Sequence, residues 1–181
     1  MSDDATTSAV IVIDLQTGML DGETLPRLHD ADALLERVRA VIAWARRTGR
    51  PLAFIRHDGE PGDPLEPGAP GWPLFAALGR RDDEPIFSKT VADAFSQPAL
   101  GAWLDAQGTS EVILLGAQSD ECVAATTRGA LGRGLRAIVV GDAHSTYPSG
   151  GLSAAQIIAR ENDAAAQAGA RLTSTQTLIA R

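Results

Sequence analysis

Short runs of apolar residues that stop abruptly at a polar one recur along the chain, separated by longer segments with helical spacing. Val10 to Ile13 ends at Asp14, and Leu52 to Ile55 ends at Arg56-His57-Asp58. Ile86-Phe87-Ser88 runs into Lys89, Val112 to Leu115 is broken by Gly116, and Ala137 to Val140 gives way to Gly141-Asp142. Runs this short, without polar alternation, predict strands covered on both faces, as in a parallel sheet flanked by helices. Between Leu28 and Thr48, residues Ala31, Leu34, Leu35, Val38, Val41, Ile42 and Ala45 fall along one helical face. Arg46 and Arg47 fill its last turn, Gly49 suits the position just past the end, and Pro51 blocks continuation.

Three more helices follow from the same reasoning. Gln97 to Gln107 carries Pro98 in its first turn and Gly108 after its end. Asp120 to Arg133 follows Ser119, a good N-cap residue. The last long helix starts after Ser153, shows Ile157, Ile158, Ala164, Ala165 and Ala168 on one face, and stops at Gly169, before an edge strand at 171–173. Strands alternating with helices at these lengths predict one α/β domain built on a doubly wound, mostly parallel sheet. No internal repeat or linker interrupts it.

The loops carry a second message. From Gly59 to Gly71 the chain interleaves Pro61, Pro64, Pro67 and Pro70 with glycines, so no regular element is expected there. Long ordered loops in compact domains usually cover a site or an interface. Trp72 at its end is either a pocket wall or an anchor holding the loop to the core.

Composition narrows the partners. A formal net charge of −7 argues against a nucleic-acid or anionic-membrane surface, and no apolar run approaches the ~20 residues of a membrane span. Met1 to Ser8 is polar and acidic, unlike a signal peptide. The single cysteine excludes an intramolecular disulfide framework and fits a reducing cytoplasm.

That cysteine is also the strongest chemical signal. Cys122 falls in the first turn of a predicted helix directly after a strand, where unpaired N–H groups and the positive end of the helix dipole favour thiolate, the nucleophilic form. Asp14 and Lys89 follow two other strands at the same sheet edge, the edge where open α/β sheets bind ligands. Together they supply a nucleophile, a carboxylate to take its proton and an ammonium to stabilise the anion. Backbone N–H groups from Gln118 to Cys122 are placed for an oxyanion hole. Each residue also has a plainer reading: an inert buried thiol, a loop-capping Asp, a solvated Lys.

The combination Val10-Ile11-Val12-Ile13-Asp14-Leu15-Gln16, Phe87-Ser88-Lys89 and Gly116-Ala117-Gln118-Ser119-Asp120-Glu121-Cys122-Val123, with Thr126 and Ala130 beyond, resembles the isochorismatase-like cysteine hydrolases over nearly the whole chain. The resemblance implies a six-stranded parallel sheet in the order 3-2-1-4-5-6 and an Asp14–Lys89–Cys122 triad. It also implies a cis peptide between Ala117 and Gln118, an oxyanion hole from the Gln118 and Cys122 amides, and self-association into a homo-oligomer. Gln16, His57, Trp72, Ser119 and His144 are expected to bind substrate, with Arg56 and the Gly141–Pro148 loop shaping the pocket.

Departures refine the expectation. Nicotinamidases of that family carry an Asp-x-His…His metal site after the second strand. Here Arg56-His57-Asp58-Gly59 has no second histidine nearby, and His29 and His144 lack metal-ligand spacing. No metal or other cofactor is expected. Isochorismatases proper lack the cysteine, so acyl transfer is expected instead of vinyl-ether hydrolysis. The loop from His57 to Pro73 looks most like the YcaC-related branch. The expected activity is cleavage of a C–N bond in a small amide through a thioacyl enzyme. The alternatives are a catalytically silent oligomeric binding module on the same fold and, less compatible with triad geometry, a hydrolase using Asp142, His144 and Ser145.

Overall fold

In the computed structural model, which describes residues 7–180, the sheet has six parallel strands in the order β3-β2-β1-β4-β5-β6. The polar N-terminal stretch read above, apart from Thr7 and Ser8, lies outside the described residues. The elements run β1 (Thr7–Ile13), α1 (Ala31–Arg47), β2 (Leu52–His57), β3 (Ile86–Lys89), α2 (Pro98–Ala106) and β4 (Thr109–Ala117). Then come α3 (Ala124–Gly132), β5 (Arg136–Ser145), α4 (Ala154–Gln167), β6 (Arg171–Thr173) and α5 (Thr175–Ile179). No helix among the described residues is long and apolar enough to cross a membrane.

The continuous apolar runs do what their lack of alternation requires. Val10 and Val12 of β1 face one core with Phe54, Ile113, Leu115 and Val140, covered by α1 and α5. Ala9, Ile11 and Ile13 face the other, with Ile55, Leu114 and Val139, covered by α2 and α3. Each fully buried aliphatic side chain of this kind contributes roughly 1.5–3 kcal/mol.

Several boundaries differ from the sequence reading. The cysteine segment is not one helix: a five-residue π-type turn, Ser119–Val123, precedes α3, and Ser119 makes no capping hydrogen bond. Its hydroxyl is bonded to His144 instead (2.8 Å). β5 runs on to Ser145 because, after a register shift, Gly116 and Ala117 pair with His144 and Ser145, so the expected Gly141–Pro148 loop is strand from Gly141 to Ser145. α4 starts as expected, with Ser153 and Gln156 forming a capping box. Of its expected apolar face only Ile157 is buried, while Ala164 and Ala168 are exposed.

The parallel register sets the site. Ile13 pairs with Ile55 and Gly116, and His57 pairs with Lys89, so the ends of β1 to β4 lie side by side at one sheet edge. Gly116 is required for this closeness: its φ is 129°, and a Cβ there would lie 2.1 Å from the Ile13 carbonyl oxygen.

Candidate active site

Asp14 leaves β1 in a left-handed conformation, φ 48°, which short polar residues tolerate better than others. Its N–H donates to the Ile55 carbonyl (3.1 Å), and its side chain is nearly sealed from solvent. Lys89, the last residue of β3, buries its whole side chain and donates from Nζ to Asp14 Oδ2 at 2.6 Å. The same ammonium lies 3.2 Å from Cys122 Sγ and 3.5 Å from His57 Nδ1. The three N–H bonds of one cation are thus shared among a carboxylate, a thiol and an imidazole from three other segments. An ammonium only donates, and the side of His57 turned toward it is the Nδ1 edge.

Donor atoms of Asp14, His57 and Cys122 lie within 4.8 Å of one another, close enough to hold a metal ion. The cation these groups share in this arrangement is the Lys89 ammonium, and a metal ion there has to displace it.

The thiol does not behave as its position on the chain suggests. Burial, ahead of the Asp14 charge, pushes Cys122 up to about 12; the Lys89 ammonium pulls the other way and is outweighed. This direction runs against the expected resting thiolate and favours a protonated sulfur at neutral pH. The dipole argument fails because the cysteine sits in a π-type turn, largely out of water, with a carboxylate nearby. Slow alkylation near neutral pH consequently does not distinguish an inert thiol from a nucleophile awaiting a base.

Cys122, Asp14, His57 and Gln118 line a cavity of about 470 Å³. A larger hollow of about 650 Å³ lies along α1, lined by residues such as Leu35, Arg39 and Leu78, and holds none of these groups. The Ala117–Gln118 peptide is cis, as expected. Asp14 Oδ1 is buried without a hydrogen-bond partner.

Other expected binding residues lie elsewhere. Gln16 is fully buried. Its Nε2 donates to the carbonyls of His57 (2.9 Å) and Trp72 (2.8 Å), and its Oε1 accepts from the His57 N–H (2.9 Å). With its amide so committed, it braces the loop. Trp72 resolves as an anchor: its Nε1 donates to Asp58 at 2.8 Å and the Arg56 guanidinium stacks 3.7 Å from its ring centre. Arg56 also donates to Ser88, which occupies it away from the cavity.

Ser119 and His144 are buried against each other outside the cavity. Asn162 donates from Nδ2 to the Gly141 carbonyl (3.0 Å), so its Oδ1 accepts from His144 Nε2 (2.9 Å). The Ser119 hydroxyl then donates to Nδ1 of a neutral imidazole. Burial is the main cause that holds His144 below its ordinary value. Thr146 adds a second grip on the cysteine turn by donating to Asp120 at 2.6 Å. Asp142 accepts from Thr175, and Ser145 donates to the His29 carbonyl, so Asp142, His144 and Ser145 form no triad.

Sequence reasoning missed the cavity walls. Leu65 and Asp63 come from the Pro/Gly-rich loop, which packs back where Gly71 meets Gly18; a Cβ on Gly71 would lie 2.6 Å from the Pro64 carbonyl oxygen. Glu121, next to the cysteine, is a further wall residue that the sequence reading does not assign to the site; of the lining it assigns only Asp14, His57, Gln118 and Cys122.

This arrangement has known relatives. The Isochorismatase domain family matches residues 8–177. The chain belongs to the isochorismatase family. Among its relatives is a streptothricin hydrolase of Streptomyces noursei, 39% identical over 140 residues, which are 77% of this chain and 50% of that protein. A maleamate amidohydrolase of Pseudomonas putida is 38% identical over 82 residues, 41% of this chain and 38% of the relative. The chain spans about half the length of the streptothricin hydrolases it matches. The crystal structure of an isochorismatase from Pseudomonas putida superposes with a TM-score of 0.86 at 27% identity, covering 94% of this chain and 89% of that one. The isochorismatase family, with a streptothricin hydrolase and a maleamate amidohydrolase among the relatives, is thus the framework for the chemistry.

Proposed function

We propose that this protein hydrolyses the C–N bond of a small amide, with Cys122 as nucleophile, Asp14 as acid and base, and Lys89 as the cation that holds both. The observation carrying this reading is the single buried ammonium in contact with the carboxylate (2.6 Å) and the sulfur (3.2 Å). A buried lysine with those two partners has no obvious packing purpose, and it organises a proton donor beside its acceptor.

Because the resting sulfur is a thiol, proton loss accompanies attack. Sγ bonds to the amide carbon while its proton passes to Asp14, and the carbonyl oxygen becomes an oxyanion near the Gln118 and Cys122 amides. Collapse breaks the C–N bond, and Asp14 returns the proton to the departing nitrogen. Water then attacks the thioacyl carbon, losing a proton to Asp14, and the C–S bond breaks as the sulfur takes that proton back. The net change is amide plus water to acid plus amine. Throughout, Lys89 keeps the carboxylate oriented.

A small molecule as partner and self-association into a homo-oligomer belong to the same reading. So does the kinship of the 57–73 loop to the YcaC-related branch. The test is ammonia or amine release from a panel of small amides by the wild type and by Cys122→Ala. The variant should lose at least ~1,000-fold in kcat/KM, and the wild type should show an acyl adduct on Cys122 by mass spectrometry after acid quench. Activity undiminished in Cys122→Ala would refute the proposal.

A further inference from the structure

The charge of the cavity lining is lopsided. Three carboxylates line it, from Asp14, Asp63 and Glu121, and no lysine or arginine does. Lys89 sits behind the lining and is matched with Asp14. Asp63 and Glu121 are exposed and, among the described residues, form no ion pair. His57 turns its Nδ1 toward the ammonium. Asp14, a residue of the same lining, keeps Oδ1 buried and without a hydrogen-bond partner. The remaining walls are mostly apolar, with Met19, Leu25, Pro64, Leu65 and Val91. Such a cleft, acidic at its rim in a chain of net charge −7, concentrates cations and repels anions.

We infer that the substrate is an amide bearing a positive charge on an apolar stem, with Asp63 and Glu121 at the rim reading that charge. This rests on the cysteine-hydrolase reading for the word amide but not for the charge. Asp63 and Glu121 come from two unrelated segments, the Pro/Gly-rich loop and the cysteine turn, and meet at the same opening. Asp63 Oδ1 accepts from the Leu65 N–H (2.7 Å), which fixes the loop and holds the carboxylate in place. A carboxylate-bearing amide would meet two like charges there without a compensating cation.

Cys122 is the only cysteine, so its modification reports the potential inside the cavity without any substrate. Methanethiosulfonates of equal size, one ending in trimethylammonium and one in sulfonate, each form a mixed disulfide with the cysteine sulfur and release methanesulfinate. The cation-to-anion rate ratio at low salt should exceed that for a small free thiol by about tenfold. Asp63→Asn with Glu121→Gln should bring it within about twofold of the free thiol, as should 0.5 M salt. Asparagine keeps the acceptor for Leu65, so the double variant preserves the loop. In parallel, kcat/KM is measured on matched amides whose far end is an ammonium, a methyl or a carboxylate. The ammonium amide should lead, with the double variant raising its KM several-fold more than that of the methyl amide. A ratio equal to the free thiol's, or one untouched by the double variant, overturns the inference. A strong cation preference with no amide cleaved overturns the hydrolase reading instead and leaves the charge reading standing.

Discussion

Lys89 sets the energetics of the site at the scale of a residue. Its side chain is fully buried and its partner Asp14 nearly so, at 0% and 3% exposure. Replacing one member of such a pair strands the other charge out of water, which typically costs 3–5 kcal/mol, whereas replacing both with neutral groups is far milder. Lys89→Met should therefore lower unfolding stability by about 3–5 kcal/mol, and Lys89→Met with Asp14→Asn should recover much of the loss. Denaturant unfolding of the three proteins measures this. Equal destabilisation by the single and double variants would mean that the lysine stem, not its charge, is what the fold needs. The sequence placed Lys89 and Asp14 at one sheet edge because each directly follows an apolar strand. It did not foretell the protonated sulfur, since burial depends on what packs around Cys122 and not on its place in the chain.

Between elements, the deciding contact is β4 against β1 at Gly116. A methyl group there meets the Ile13 carbonyl oxygen and nitrogen, backbone atoms that cannot swing aside. Gly116→Ala should destabilise the fold by about 2–4 kcal/mol, from left-handed strain and steric overlap together. Because Asp14 and Gln118 follow these two strands, amide hydrolysis by the folded fraction should fall as well. Thermal unfolding with activity per folded molecule separates the two effects. The strands themselves were legible because their apolar runs lack alternation, and α1 because seven positions repeat at helical spacing. Two features were hidden: the π-type turn at Ser119–Val123 and the extension of β5 to Ser145. Both arise from long-range pairing, Ser119 with His144 and Ala117 with Ser145, that local pattern does not encode. For the same reason Ser119, His144, Gln16 and Trp72 were recognisable as special residues, while the hydrogen bonds that engage them in the fold were not. Their hydrogen-bond partners lie 14 to 56 positions away.

For the molecule as a whole, two buried groups bound the stable pH range. His144 is held neutral, with its folded value below the ordinary one, so the unfolded chain binds more protons as acidity increases. Its contribution is full above about 6.5 and is lost as pH falls through the window beneath. Cys122 acts at the other end: its folded value is raised, so its contribution is full below about 8.5 and is lost as pH climbs toward about 12. Tyr147, pushed up to about 12 chiefly by burial, steepens the alkaline side from about 10 upward. Denaturant midpoints measured from pH 4 to 11 should trace a dome. His144→Gln should flatten the acid limb and Cys122→Ser the alkaline one. A limb unchanged in its variant would assign that slope to other groups.

The tether from Gln16 has a further consequence. Its amide grips the loop through main-chain groups of His57 and through the carbonyl of Trp72, so the grip is indifferent to the side chains strung between those two points. Exposed positions of that stretch, such as Glu60, Pro61, Pro67 and Pro70, can thus change while its ends stay moored and Leu65 stays in the core. The sheet edge that holds Asp14, Lys89 and Cys122 is thereby insulated from change at the loop's exposed positions.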